Sequence, residues 1–278
     1  MYQLYGINNE DCVSGLKKLP VECAQVIICD PPYNIGKDFG NNSDKQNFNQ
    51  YIEWCRGWIS ECVRILKPCG TLYVYGFSEI LAHIQVSALP ADSSLKVRWL
   101  IWHYTNKSVP SARFWQRSHE SVLCIYKGDH GSPTFNLDDV REPYTDTFLK
   151  NAAGKSRKAT PGRFSKNGTE TTYTAHDNGA LPRDVIKVPA LAGGAGKKER
   201  VDHPTQKPLE LCRKLLYASQ NTNDVEESLV VIPFVGSGSE CVACVELGLN
   251  YIGFEINETY VDVANERLVE TYLSSCTK

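Results

Sequence analysis

The sequence has few features of a membrane or secreted protein. None of its apolar runs approaches the ~20 residues that a membrane-spanning helix needs. Its first residues also lack a basic segment followed by an apolar one. Charge of one sign is not in excess, since 30 lysines and arginines stand against 32 aspartates and glutamates. Any nucleic-acid contact must therefore come from a local basic patch.

The composition excludes a disordered or fibrous chain. Hydrophobic residues make up 42% and charged residues 22% of the 278 positions, which is typical of globular proteins. A chain of this length forms one large domain or two small ones and is long enough to bury a sizeable core.

The 11 cysteines do not suggest a disulfide framework, because their number is odd. Several lie inside apolar runs: Cys29, Cys62, Cys124 and Cys212. We therefore expect reduced thiols in the core of a cytoplasmic protein. The CxxC pair of Cys241 and Cys244 has no second pair and no nearby histidine. No metal site is predicted, because structural zinc needs four ligands.

Apolar patterning predicts alternating strands and helices at both ends of the chain. The predicted strands are 26–29, 71–75, 97–104, 121–126, 229–232 and 251–255, and the predicted helices are 48–66, 77–86, 208–219, 239–247 and 258–273. This alternation favours an α/β fold with a parallel, doubly wound sheet.

The middle of the chain has a different character. Residues 128–200 are rich in Gly, Pro, Ser, Thr and Asn and show no sustained periodicity. Within them, 150–166 carries six basic residues and no acidic one. We divide the chain into 1–128, 129–199 and 200–278, with the outer two parts forming one domain.

A glycine turn near the C-terminal end of the chain suits a nucleoside ligand. Gly236 and Gly238 follow an apolar strand and open a helix, and Glu255 ends the next strand, 19 residues after Gly236. Glycines let a backbone approach a ligand, and the acidic residue can accept both hydroxyls of a ribose. Cys241 stands where a dinucleotide fingerprint wants a small residue. An adenosine carrying an amino-acid-like group is therefore favoured over a dinucleotide, without excluding an oxidoreductase.

A second candidate loop follows the strand 26–29. Its sequence is Asp30-Pro31-Pro32-Tyr33, and two successive prolines must end the strand. Ligands of doubly wound folds bind at the carboxyl ends of strands. There the Asp30 carboxylate and the Pro31 carbonyl can both accept hydrogens from one planar amino group, and the ring of Tyr33 can stack on its heterocycle.

Four motifs together resemble those of the amino-group DNA methyltransferases. They are DPPY with NIG at 30–36, HPTQKP at 203–208, PFVGSG at 233–238 and GFEIN at 253–257. Their order is similar to that of the beta group, in which the catalytic motif precedes the cofactor motif and a target-recognition segment separates them. The resemblance covers roughly 1–128 and 200–273. It implies a Rossmann-like S-adenosylmethionine-dependent methyltransferase fold, with a mixed, mostly parallel sheet and an irregular target-recognition insertion at 129–199.

The resemblance also implies roles for individual residues. The catalytic residues would be Asp30, Pro31, Pro32 and Tyr33, with Tyr33 stacked on a base flipped out of the DNA helix. The S-adenosylmethionine residues would be Asp11, Asp30, Thr205, Gln206, Lys207, Phe234, Gly236, Ser237, Gly238 and Glu255. Among them, Asp11 would lie near the adenine, Glu255 would bind the ribose, and 205–207 would shape the methionine end of the pocket.

One position departs from the family pattern. The family usually has Asp immediately before the Pro-Phe of its cofactor motif, whereas this sequence has Ile232. A carboxylate near the ammonium group of the methionine part is therefore missing. We expect either weaker cofactor binding or compensation by Glu240, just after the glycine turn.

Double-stranded DNA is the expected substrate, and its contacts should lie mainly in the basic middle segment. The candidate residues are Lys107, Arg141, Lys155, Arg157, Lys158, Arg163, Lys166 and Arg183. Arg141, Arg163 and Arg183 are candidates for reading guanine edges.

Several readings of the activity remain open at this stage. Asp before Pro-Pro-Tyr is typical of adenine methylation, so adenine is favoured over the amino group of cytosine. A non-catalytic DNA-binding module would explain the basic stretch but not the glycine turn. By resemblance, we expect a cytoplasmic restriction-modification enzyme that acts beside a cognate restriction endonuclease, with a homodimer as one oligomeric form.

Overall fold

The computed structural model describes residues 6–39, 44–91, 94–104, 106, 112–128, 131–158, 170–172, 174–222 and 228–276. These residues form two compact units. The larger comprises the chain up to Phe135 and from Asp184 onward, and the smaller is Asn136–Arg183. None of the helices that the structure describes combines the length and hydropathy needed to span a bilayer.

The larger unit is built on a mixed sheet, which contains eight strands among the described residues. In chain order they are β1 (Gly6–Asn9), β2 (Ala24–Cys29), β3 (Leu66–Gly76), β4 (Leu95–His103), β5 (His119–Lys127), β8 (Val185–Lys187), β9 (Leu229–Ile232) and β10 (Asn250–Glu255). The order across the sheet is β1-β10-β9-β2-β3-β5-β4-β8. Two further described strands, β6 (Ser156–Lys158) and β7 (Glu170–Thr172), form a separate antiparallel pair.

The sheet is mostly parallel, which confirms the fold class expected from the resemblance. Only the pairs that involve β5 are antiparallel. Strand alternation alone favoured a parallel, doubly wound sheet and was wrong at β5. The physical reason is that the described residues between β4 and β5, which are 104, 106 and 112–118, form no helix. A parallel pair needs a crossover connection, usually a helix, whereas an antiparallel pair does not.

Helices cover both faces of the sheet. They are α1 (Cys12–Lys17), α2 (Phe48–Ile65), α3 (Ser78–Ser87), α5 (Leu209–Ser219), α6 (Ser239–Glu246) and α7 (Glu258–Cys276), with α4 (Asp146–Asn151) in the smaller unit. All six residues of β2 are buried, because β3 and β9 flank it in the sheet and helices cover both of its faces. Val26 and Ile28 pack into the core beneath α5–α7, whereas Ile27 and Cys29 pack beneath α1–α3.

Helix α2 shows why the sequence pattern is informative here. The Asn47 side chain accepts a hydrogen bond from the Asn49 amide and caps the helix. One face carries the buried residues Tyr51, Ile52, Cys55, Trp58, Ile59, Cys62 and Ile65. This is the helical spacing that the apolar pattern predicted.

The thiols lie mostly in these cores. Ten cysteines have described side chains; none of them is in a disulfide, and most are buried. Cys29 and Cys62 approach to 3.9 Å between their sulfur atoms. Burial raises the pKa of Cys29, Cys212, Cys241 and Cys244, so these thiols stay protonated.

The first strand and helix escaped the sequence patterns. β1 pairs in parallel with β10, the last strand in the chain. The Asn9 side chain donates to the Glu255 carbonyl at 2.9 Å. Asp11 then caps α1 by accepting from the Ser14 amide at 2.9 Å. The residues of β1 and α1 are therefore held in place by contacts with β10, near the other end of the sequence.

The smaller unit holds short elements. A 3-10 turn at Leu137–Val140 precedes α4, and an isolated bridge joins Glu142 to Ala180. The rings of Tyr144 and Phe148 stack with centroids 4.8 Å apart.

Candidate active site

A cavity of about 180 Å³ lies at the carboxyl ends of the central parallel strands. Segments that follow β1, β2, β9 and β10 all contribute to its lining, together with 203–207. We call it the first cavity. Doubly wound sheets bind their ligands at this edge.

Most of the predicted cofactor residues meet in the first cavity. Eight of the ten line it, namely Asp11, Asp30, Thr205, Lys207, Phe234, Gly236, Ser237 and Glu255. Gln206 instead holds the preceding loop, since its side chain donates to the Glu199 carbonyl at 2.9 Å. Gly238 has φ +78° at the start of α6, where an added Cβ would lie 2.7 Å from that of Ala264. It therefore allows α6 to pack against α7.

The glycine turn is tied to the end of β10. The Gly236 amide donates to Glu255 Oε2 at 2.9 Å, and the Asn257 amide donates to Oε1 at 2.8 Å. Gly236 has φ +49°, and an added Cβ would lie 2.9 Å from His203 Nε2. Burial raises the pKa of Glu255. The carboxylate keeps lone pairs on both oxygens and can accept the two hydroxyls of a ribose.

Aromatic rings line the cavity beside this turn. Phe234 makes edge contacts with Trp54 at 5.7 Å and Trp58 at 5.3 Å between centroids. Phe39 and Tyr260 also line the cavity. The sequence patterns predicted Phe234 but missed Trp54, Phe39 and Tyr260, because an aromatic residue on a helix or in a loop is more often part of the core. Together they can hold a flat heterocycle.

At the catalytic loop, Lys207 forms an ion pair with Asp30. Its Nζ lies 2.7 Å from both carboxylate oxygens. The lysine is buried, with the rings of Tyr33 and Tyr75 5.4 and 5.1 Å from its Nζ. Burial alone would lower the pKa of Lys207, but the charges of Asp30 and Glu120 outweigh it and raise that pKa. Lys207 was expected at the methionine end of the pocket, and the structure places its ammonium on the Asp30 carboxylate.

Tyr33 is held between two carboxylates. Its hydroxyl lies 3.0 Å from Asp30 Oδ1 and 3.1 Å from Glu120 Oε2. Burial, followed by these two charges, raises the pKa of Tyr33, so the hydroxyl keeps its hydrogen and donates it. The ring makes an edge contact with Phe77 at 5.2 Å.

Tyr33 also lines a second cavity, of about 200 Å³. Its walls include Phe77, Trp102 and Glu120, and it shares His203, Thr205 and Lys207 with the first cavity. We call it the second cavity. Asp30 lines the first cavity while its ion-pair partner Lys207 lines both. Two ligands could therefore meet at this carboxylate.

The segment after the catalytic motif is fixed by Asp44, which no sequence pattern singled out. Its buried carboxylate accepts from the amides of Asn34, Ile35 and Lys37. The Tyr51 hydroxyl also donates to the Pro32 carbonyl at 2.8 Å. These bonds hold the loop of the catalytic motif in one conformation.

His203 lies between the two cavities in its neutral form. Burial lowers its pKa to about 4. The ring makes an edge contact with Tyr260 at 4.7 Å, and Nδ1 accepts from the Thr205 amide at 3.3 Å. It therefore carries no charge at neutral pH.

The predicted DNA residues are only partly described. Lys107, Arg163 and Lys166 lie outside the described residues, as do the side chains of Arg157 and Lys158. Lys155 and Arg183 are exposed. Arg141 is held inside the smaller unit, because it donates to Asp138 at 2.6 Å and to the Gly179 carbonyl at 3.0 Å. Its role in reading guanine stays a prediction.

Comparisons with known proteins agree with this arrangement. The sequence model of the DNA methylase family matches residues 24–266. The type II methyltransferase M.HpaI of Haemophilus parainfluenzae is 33% identical over 259 residues, which cover 93% of this chain and 72% of the relative. The DNA adenine methyltransferase YhdJ of Escherichia coli (strain K12) is 30% identical, over 93% of this chain and 80% of the relative.

A solved structure shows the same fold. TTHA0409 of Thermus thermophilus, titled a putative DNA modification methylase and complexed with S-adenosyl-L-methionine, superimposes with a TM-score of 0.57. The two sequences are 19% identical, and the match covers 96% of this chain and 93% of that one. Because the family match spans most of the sequence and both loops of the site, the chain belongs to the DNA methylase family.

Proposed function

We propose that this protein is a site-specific DNA methyltransferase that transfers a methyl group from S-adenosylmethionine to the exocyclic amino group of adenine in double-stranded DNA. One observation carries the proposal. The Asp30 carboxylate lines the first cavity, and its partners Tyr33 and Lys207 line the second. A donor and an acceptor bound in the two cavities would meet there.

The residues of the first cavity fit S-adenosylmethionine. Glu255 would accept the ribose hydroxyls, and Phe234 with Trp54 would contact the adenine beside Asp11. Lys207 and the neighbouring Thr205 carbonyl lie on the side towards Asp30, and Ser237 also lines the cavity. When bound, the cofactor supplies an electrophilic methyl group on a sulfonium.

The second cavity would receive the target base, flipped out of the helix. Flipping costs a few kcal/mol, and stacking against an aromatic ring such as Tyr33 returns about 1–3 kcal/mol. Asp30 and the Pro31 carbonyl would accept the hydrogens of the base amino group and so localise the nitrogen lone pair. Lys207 and Tyr33 fix the orientation of the accepting carboxylate. No covalent enzyme intermediate is required.

The loop between β4 and β5 supports DNA contact beside that cavity. Arg117 places its guanidinium 4.0 Å from the ring centroid of Phe77, which in turn contacts Tyr33. Two positions earlier, Trp115 is 88% exposed, and Arg113 is exposed as well. Exposed aromatic and basic side chains in one loop suit nucleic-acid binding. We assign this loop to the DNA surface, together with the basic stretch 150–166.

The middle segment would read the target sequence. We assign target recognition to 129–199, of which Asn136–Arg183 forms the compact smaller unit. The exposed Lys155 and Arg183 are its described candidates for DNA contact. The chain would act in the cytoplasm, beside a restriction endonuclease of the same target site and as a homodimer. The support for the endonuclease is that M.HpaI is named a type II methyltransferase.

The test is transfer of a labelled methyl group from S-adenosylmethionine to unmethylated bacterial DNA, followed by mass spectrometry of the nucleosides. N6-methyladenine is the expected product. Methylated cytosine would keep the fold and the two cavities but overturn the assignment of adenine. Absence of both transfer and cofactor binding would leave a non-catalytic DNA-binding protein.

A further inference from the structure

Glu240 carries a buried carboxylate that has no role in the proposed methyl transfer. It lies in the first turn of α6, is 3% exposed and lines the first cavity. The Cys212 thiol donates to its Oε1 at 3.5 Å. Within the described part of the chain, no lysine, arginine or histidine lies within ion-pair distance of it.

The neighbouring cations are committed elsewhere. Lys207 is bonded to both oxygens of Asp30, and Arg267 is bonded to the Ser237 carbonyl and the Ser239 hydroxyl. The titratable groups that face Glu240 from the surrounding elements are Asp30, Tyr75, Lys207, Cys212 and Arg267, with Cys241 and Cys244 on its own helix.

Ionising a buried carboxylate that has no cation beside it costs free energy. Burial, with the Asp30 charge adding to it, raises the pKa of Glu240 to about 7. The positive end of α6 favours the ionised form but does not offset burial. A cationic ligand in the first cavity would supply the missing partner.

A departure of this sequence from the family pattern also indicates that Glu240 meets a cationic group of the ligand. The usual acidic residue at the end of β9 is replaced by Ile232, which is fully buried. Ile232 belongs to the same apolar cluster as Tyr75, Cys212 and Cys241, which surround Glu240. The strand therefore lacks the carboxylate of the family pattern, while Glu240 on the following helix presents one to the first cavity.

We propose that Glu240 accepts a hydrogen bond from the α-ammonium of the methionine part of S-adenosylmethionine. The inference rests on the proposed function. Of the two cationic groups of this cofactor, only the ammonium has hydrogens to donate, and Glu240 lies close enough to Asp30 and Lys207 for their charges to act on it. Binding draws the proton off Glu240, so affinity depends on pH.

Calorimetric binding of two ligands tests this proposal. S-adenosylhomocysteine carries the α-ammonium but no sulfonium, and 5′-methylthioadenosine lacks the amino-acid part. For the native protein, we expect affinity for S-adenosylhomocysteine to rise about tenfold from pH 6 to pH 8, because Glu240 ionises over this range. The affinity for 5′-methylthioadenosine should stay within about twofold.

Glu240→Gln should bind S-adenosylhomocysteine at least tenfold more weakly than the native protein at pH 8. The pH dependence should disappear, and 5′-methylthioadenosine binding should be retained, which shows that the variant is folded. Glu246→Gln is the matched control, because this glutamate lies on the same helix in an ion pair with Arg213. It should behave as the native protein does.

Four results would overturn the proposal. Unchanged affinity of Glu240→Gln for both S-adenosylhomocysteine and S-adenosylmethionine, the latter measured in the same way, would remove Glu240 from the site. An equal loss for S-adenosylhomocysteine and 5′-methylthioadenosine would make its role structural. A loss confined to S-adenosylmethionine would assign Glu240 to the sulfonium. Affinity that falls from pH 6 to pH 8 would mean that protonated Glu240 donates to the ligand carboxylate. If the native protein bound none of these ligands, the proposed function itself would fail.

Discussion

The two oxygens of Asp30 are the atoms on which the proposed chemistry depends. Both already accept hydrogen bonds from Lys207, and one also lies within reach of the Tyr33 hydroxyl. A carboxylate oxygen has two lone-pair sites, so Oδ2, which accepts only from Lys207, can still accept a second hydrogen. Lys207 therefore orients the carboxylate without using up its capacity to accept.

Asp30→Asn keeps the shape of the side chain but removes its charge and half of its accepting capacity. We expect methyl transfer to fall by at least about a hundredfold, as for loss of a positioned proton acceptor. Affinity for S-adenosylhomocysteine should change by no more than a few-fold. Labelled methyl transfer and calorimetry measure the two quantities. The exposed Asp262 on α7 gives the control variant Asp262→Asn, and transfer by Asp30→Asn at the native rate would contradict the role.

For single residues, the sequence could indicate which side chains belong to the site, but not which of them bond to each other. Asp30, Tyr33 and Glu255 stand out because motif residues follow the ends of apolar strands. The pairing of Lys207 with Asp30 joins positions 177 residues apart, and no local pattern contains such a distance. Asp44 escaped notice for another reason, since a single acidic residue in a loop has no periodicity to mark it.

The length of a helix or strand decided whether the sequence pattern could predict it. The long helices and apolar strands carry enough residues to show a period, and α2 was predicted to within one residue. β1 and α1 have only four and six residues. Their position is set by pairing with β10, which the sequence does not encode nearby.

The close contact between α1 and β10 depends on Gly15. A Cβ at this position would lie 2.3 Å from Cε1 of Phe254, a ring that also lines the first cavity. We expect Gly15→Ala to lower the free energy of unfolding by about 1–3 kcal/mol, because the added methyl overpacks the site. It should also weaken S-adenosylhomocysteine binding. Urea denaturation and calorimetry measure these effects.

Gly57 on α2 provides the matched control, because a Cβ there meets nothing within 4 Å. Gly57→Ala should raise the free energy of unfolding by up to about 1 kcal/mol, through helix propensity alone. A Gly15→Ala variant as stable as Gly57→Ala would show that α1 can move away from Phe254 at no cost.

The loop between β4 and β5 should contribute to DNA binding through Trp115. Replacing this exposed ring by alanine should cost about 1–3 kcal/mol of DNA affinity if it stacks on a base. S-adenosylhomocysteine binding should not change. The measurement is a gel-shift assay of the affinity for a DNA duplex that the native protein is able to methylate. Val86→Ala, at the exposed end of α3, is the control, and equal affinities for both variants would remove Trp115 from the DNA surface.

For the whole molecule, two buried groups give stability opposite dependences on pH. Burial raises the pKa of Glu240 from 4.5 to about 7, so its stabilising contribution is lost as pH rises through this interval. Burial lowers the pKa of His203 from 6.5 to about 4, so stability is lost as pH falls through that interval. Between pH 4.5 and 6.5, the two groups change the free energy of unfolding in opposite directions as pH rises, so their pH dependences partly cancel.

Glu240→Gln removes one of these contributions and leaves the other. The variant should be more stable than the native protein at pH 7.5, by up to about 3 kcal/mol. The difference should shrink towards pH 5. Urea denaturation at both values measures it, with Glu246→Gln as the control. A difference that does not vary with pH would mean that Glu240 is not held in its protonated form by the fold.

The pairing of β1 with β10 has a consequence for synthesis of the protein. Strand β2 carries the catalytic loop, but its neighbour β9 and the glycine turn are made much later, and β1 has no partner until β10 exists. Glu255 must also have left the ribosome before the methyl donor can be held. A growing chain therefore contains Asp30 long before it contains Glu255, and DNA modification requires that synthesis has passed Glu255.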